Sequence, residues 1–78
     1  MVHGDQILKT TSFVLKRYRE DAGLSQEKLA EKSNVSRSMI DKIERRERLP
    51  SIETLIKIAS GLDVKASDIV SEIEKKFI

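Results

Sequence analysis

An all-α fold of five helices is predicted by three observations. Apolar residues recur at three- and four-residue spacing, no segment alternates apolar and polar residues, and no Asn-Gly or Asp-Gly hairpin signal occurs. The chain has 78 residues with one proline and three glycines, which leaves room for one domain and no linker. Residues 1–11 are mixed and uncapped, and read as a loose N-terminal arm, or one extra turn, before Ser12 opens the first helix of a domain spanning 12–78. That helix runs to about Ala22, with Val14, Leu15, Tyr18 and Ala22 on one stripe, and Gly23 suits the left-handed position that ends it. Leu24 then turns inward. Ser25 caps a short second helix, with Glu27 near its positive end and Leu29 and Ala30 as its apolar positions. Ser33 and Asn34 break the pattern, and asparagine readily takes a positive φ, so a sharp turn falls at Asn34-Val35. Ser36 caps a third helix reaching Arg46, in which Ile40 and Ile43 face inward while Arg37, Ser38, Asp41, Lys42 and Arg45 share the opposite side. Glu47 to Pro50 make a loop, because proline disfavours helical geometry in the residue before it. Ser51 restarts a helix whose apolar set, Ile52, Leu55, Ile56, Ala59 and Leu62, marks it as the central beam of the core. Gly61 either caps this fourth helix or lies one turn inside it, with Asp63 terminal. A fifth helix from about Ala66 to Lys76 carries Ile69, Val70, Ile73 and Phe77.

Composition excludes several function classes. Cysteine is absent, so there is no disulfide framework, thiolate nucleophile or zinc knuckle. No apolar run approaches the roughly 20 residues that cross a bilayer, and the first five residues lack the basic start and apolar run of a secretory signal. A cytoplasmic location is expected. His3 has no second ligand nearby, and no serine has a base and an orienting acid, so no metal, cofactor, small-molecule ligand or enzymatic activity is expected. The 15 Lys+Arg against 13 Asp+Glu give a net charge of only +2, but the distribution is uneven. Residues 9–48 carry eleven bases and seven acids, whereas the segments on either side are each net negative. Arg37, Lys42, Arg45, Arg46 and Arg48 crowd into twelve positions, where Asp41, Glu44 and Glu47 can also pair with them on a solvated helix face.

Two short helices joined by a tight turn, the second with a polar cap and a polar outer face, have the geometry of a helix-turn-helix. Gln26 starts the first of them, Ala30 sits at the helix crossing, Asn34 makes the turn, and Val35, Ile40 and Ile43 lock the pair together. The run LSQEKLAEKSNVSRSMIDKIERRERLPSIETLIKIASGLDV, residues 24–64, resembles the phage repressor and Cro type helix-turn-helix family, also called the xenobiotic-response-element type. In size and layout it is similar to the small controller proteins of restriction-modification systems. The resemblance implies a compact, lambda-repressor-like fold and a transcriptional regulator of double-stranded DNA. It also implies a homodimer joined through the C-terminal helices. Asn34 replaces the usual turn glycine, Arg46 stands where a glycine often ends the third helix, Lys65 takes the place of a capping residue, and Met39 that of a frequent tyrosine.

A recognition helix enters the major groove with its N-terminal residues closest to the base edges. Ser36, Arg37, Ser38 and Lys42 are therefore candidates for base contact, and Arg37 can make two hydrogen bonds to a guanine. Arg37 can instead pair with Asp41, which either accepts from a cytosine or orders Arg37. Arg45, Arg46 and Arg48 suit phosphate contact at the end of the helix and in the loop. The resemblance implies a phosphate contact for Gln26 and a structural ion pair between Arg19 and Glu44. Ile69, Val70, Ile73, Phe77 and Ile78 exceed what so small a domain can bury, and Ile69, Ile73, Phe77 and Ile78 are expected at the dimer interface. The alternative is a protein-interaction module, such as an antitoxin or a regulator's partner, that uses the same fold and docks through Ile73, Phe77 and Ile78.

Overall fold

The computed structural model describes residues 2–78 and contains, among them, five α-helices and no strand. They are α1 (Gly4–Asp21), α2 (Gln26–Ser33), α3 (Arg37–Glu44), α4 (Ile52–Gly61) and α5 (Ala66–Glu74), the last running into a single 3₁₀ turn at Lys75–Phe77. Three serines set the starts of the middle helices. Ser25, Ser36 and Ser51 accept from the backbone N–H of Lys28, Met39 and Thr54 at 3.0, 3.1 and 3.1 Å, each satisfying a donor that the helix leaves unpaired. Lys65, in the corresponding position before α5, makes no side-chain cap.

The first four helices stop by one device. A residue with positive φ follows each helix, namely Gly23 (72°), Asn34 (55°), Arg46 (64°) and Asp63 (59°). The next N–H then reaches back to a carbonyl of the last turn, as Leu24 to Arg19, Val35 to Ala30, Glu47 to Lys42 and Val64 to Ala59. Only the first of these positions is a glycine. Asp63 is thus the terminal residue, and Gly61 lies inside α4 for a different reason. A Cβ there would stand 2.9 Å from Ser33 Cβ, so its absence lets α4 lie against the end of α2.

The core is built from Val14 and Leu15 of α1, Leu29 of α2, Ile40 and Ile43 of α3, and Leu55, Ile58 and Ala59 of α4, with Leu62 and Ile69 closing it. Helix α2 lies chiefly on α3 and α4, and α1 on α3 and α5. Tyr18, Leu24, Val35 and Met39 pack around the rim. No helix among the described residues is long and apolar enough to cross a membrane.

The structure corrects four expectations. The arm assigned to residues 1–11 is helical from Gly4, because Ile7, Leu8 and Thr11 continue the stripe of Val14, Leu15 and Tyr18 at helical spacing. Ser12, expected as the opening cap, is buried in mid-helix and hydrogen-bonds Leu8 O at 2.9 Å and Ile43 O, tying α1 to α3. On α4 the buried stripe is Leu55, Ile58, Ala59 and Leu62, whereas Ile52 and Ile56 are 72% and 55% exposed. Ile69, expected at a dimer interface, is 0% exposed within one chain and belongs to the core.

Candidate nucleic-acid interface

Helix α3 is held by its inner face and presents its outer one. Ile40 and Ile43 are buried, while Ser36, Arg37, Ser38, Lys42 and Arg45 are exposed and Asp41 is half-buried. The turn Asn34–Val35–Ser36 sets α3 across α2, and Ser36 Oγ caps α3. Arg37 therefore projects from the first turn, where it lines an open groove of about 590 Å³ with Arg19, Gln26 and Lys28 and with the carboxylates of Glu27 and Glu31. One concave surface thus unites the start of α2 with the start of α3. The N–H groups of Gln26 and Glu27 belong to the first turn of α2, where helical backbone donors lack partners within the helix.

Below the groove lies a polar bracket. Arg19 of α1 grips Glu44 of α3 through two hydrogen bonds, Nε to Oε2 at 2.7 Å and Nη2 to Oε1 at 2.9 Å, and donates Nη1 to Leu24 O at 2.7 Å. The two side chains are only 12% and 5% exposed. The hydrogen bond to Glu44 raises the Arg19 pKa above its ordinary value, overcoming the opposing effect of burial. Gln26 joins the bracket by donating Nε2 to Glu44 Oε1 at 3.0 Å and to Asp41 Oδ1 at 3.4 Å. Both amide protons of Gln26 are therefore directed at carboxylates.

Asp41 does not pair with Arg37. Its carboxylate instead receives Arg45 Nη1 at 3.4 Å, and Arg45 also lies 3.2 Å from Glu47. The reason is direction. Side chains on a helix lean toward its N-terminus, so Arg45, one turn after Asp41, reaches back to it. Arg37, Lys42, Arg46 and Arg48 form no ion pair among the described residues. Arg37, Lys42, Arg46 and Arg48 are exposed, and Arg46 also lines a second groove beside α1 and the C-terminal turn. Lys28 escaped the sequence reading, although its place in the Ser25-capped turn, two residues after Gln26, was a usable signal. Phe77 is half-buried and faces α1 through the second groove, Ile73 packs on the core, and Ile78 is 92% exposed.

Fold and site together define a helix-turn-helix protein, with α2 and α3 as the paired helices and α1, α4 and α5 as their support. The comparisons place it more narrowly. The helix-turn-helix family model matches residues 15–69, and the chain belongs to this Cro/CI-type family. It is 40% identical over 67 residues to the HTH-type transcriptional regulator SutR of Escherichia coli K12, covering 86% of this chain and 38% of that protein. It is 43% identical over 58 residues to the immunity repressor protein of Bacillus phage phi105, covering 74% of this chain and 40% of the repressor. The chain thus spans less than half the length of these curated relatives. Among solved structures it resembles the restriction-modification controller protein C.Esp1396I bound to a 19 base pair DNA duplex, with TM-score 0.82 and 38% identity over 92% of this chain and 96% of that one. These relatives are regulators and a repressor, and the family is not an enzymatic one.

Proposed function

We propose that this protein is a transcriptional regulator that binds a partly palindromic DNA operator as a homodimer, each α3 lying in the major groove. The observation that carries the reading is the groove joining Gln26 and Lys28 of α2 to Arg37 of α3, because it sets a phosphate contact beside a base contact on one rigid surface. Arg37, Ser38 and Lys42 read base edges, with Ser36 donating from the helix start while its oxygen serves as cap. Asp41 orients Gln26 and Arg45, and is left to accept from a cytosine only when those contacts open. Gln26 and the N–H groups of the first turn of α2 hold a phosphate on one side, and Arg45, Arg46 and Arg48 hold the backbone on the other. The DNA-bound controller protein supports the docking by its likeness in fold.

With Ile69 inside the core, the apolar side chains left exposed for a second copy to cover are Leu49, Ile52, Ile56, Val70 and Ile78. A chain this small gains stability by covering such side chains across an interface. Two recognition helices then stand about 34 Å apart, one DNA turn. The second reading, a module that docks another protein through Ile73, Phe77 and Ile78, keeps only Ile78 as a fully exposed contact, since Ile73 and Phe77 are half-buried. Selection of bound sequences from a random DNA pool separates the two. The proposed function predicts a recovered site with two related half-sites one helical turn apart. Recovery of no enriched sequence, with the protein monomeric in sedimentation, would favour the docking module.

A further inference from the structure

The second groove has no part in the bracket around Glu44. It holds about 690 Å³ between the outer face of α1 and the last turn of the chain, within the size range of small-ligand sites. Lys9, Arg46, Lys75 and Lys76 line it together with the rings of Phe13 and Phe77, and no acidic residue does. Phe13 is 64% exposed, an unusual place for a phenyl ring, and Arg17 stands 5.9 Å from the ring centroid. Arg46 reaches the groove from a left-handed backbone position that costs an arginine about 1 kcal/mol and a glycine almost nothing. Lys75 is paired with Glu72 at 3.4 Å, so a ligand drawn to this place must answer both remaining features, the cations of Lys9, Arg46 and Lys76 and the two phenyl rings. A duplex backbone offers charge and little apolar surface, and inorganic phosphate offers charge alone.

We propose that this groove is a binding site for a small organic anion that joins an aromatic body to a phosphate or carboxylate group. The ring of the ligand lies against Phe13 and Phe77, and its anionic group meets Lys9, Arg46 and Lys76. Recognition thus needs both halves of the ligand at once.

The test is a titration of the full chain, followed by its amide resonances, with three probes: phenyl phosphate, inorganic phosphate and phenol. Phenyl phosphate is expected to saturate near about 1 mM, the affinity such a small ligand can reach, with shifts at Lys9, Phe13, Arg46, Lys76 and Phe77. Inorganic phosphate and phenol should each bind at least about tenfold more weakly. Phe13→Ala leaves the fold intact because the ring is mostly exposed, and should weaken phenyl phosphate about tenfold without changing the response to inorganic phosphate. Lys9→Ala should weaken both anions. Equal binding of phenyl phosphate and inorganic phosphate, or no saturation by about 20 mM, a concentration about twentyfold above that expectation, would overturn the proposal. So would shifts confined to the exposed face of α3, or an unchanged phenyl phosphate response in a folded Phe13→Ala variant.

Discussion

Glu44 receives three donors, two from Arg19 and one from Gln26, and is almost fully enclosed. Replacing it by alanine strands the Arg19 guanidinium, and the expected loss is about 3 kcal/mol, a large share of the stability of a chain this size. Urea unfolding of Glu44→Ala, Arg19→Ala and the double variant measures it, and the double variant should lose clearly less than the two single losses combined. Because the Arg19 pKa is raised in the fold, its contribution is complete below the ordinary arginine titration and disappears only above it. The deficit of Arg19→Ala should therefore stay constant between about pH 7 and about pH 9.5 as far as Arg19 is concerned. Arg46 poses the opposite trade. Arg46→Gly relieves the left-handed strain and should gain up to about 1 kcal/mol, while weakening DNA binding through loss of a phosphate contact. Thermal melts and gel shifts on the same variant check both signs. At this scale the sequence was informative where chemistry is local. The positive φ of Asn34 followed from its residue type, but the partner of Asp41 did not, because Arg37 and Arg45 are each four residues from it and only side-chain direction chooses between them.

Helix boundaries divide the same way. The serine caps of α2, α3 and α4 were legible because a hydroxyl before an apolar stripe has few other uses. The start of α1 was not, since Ser12 offers the same residue type from inside a helix, where its hydroxyl bonds across to Ile43. Ile7, Leu8 and Thr11 carried the correct signal in their spacing. The stripe of α4 differs by one face from the expected one, as six apolar residues in eleven positions fit either of two adjacent stripes, and only the packing of α2 selects Leu55, Ile58, Ala59 and Leu62. That packing depends on Gly61. Gly61→Ala inserts a methyl 2.9 Å from Ser33 Cβ and should cost about 1–3 kcal/mol in urea unfolding, since backbone on both sides must move. A loss below about 0.5 kcal/mol would show that α2 and α4 separate easily. The displaced isoleucines give a second prediction at this scale. Ile52→Lys and Ile56→Lys are exposed changes that should leave the melting temperature of the monomer nearly unchanged and abolish self-association in sedimentation.

For the whole molecule, a net charge of +2 describes its binding poorly. Among the described residues, Lys28, Arg37, Lys42, Arg46 and Arg48 form no ion pair, and Arg45 makes only exposed ones, whereas Arg19 is committed to Glu44 inside the fold. Fold class and the paired helices were legible in the sequence because they rest on periodicity and turn chemistry. The grooves were not, because each joins residues distant along the chain. The central claim is that α3 reads base edges while the loop after it holds phosphates. Its most direct test is the affinity of the wild type, Arg37→Ala and Arg48→Ala for a selected site and for random duplex across a salt series. Arg37→Ala should lose about 1–3 kcal/mol on the selected site and little on random duplex. Arg48→Ala should weaken both alike and reduce the slope of log affinity against log salt by about one. The same loss on both duplexes for both variants would contradict the claim.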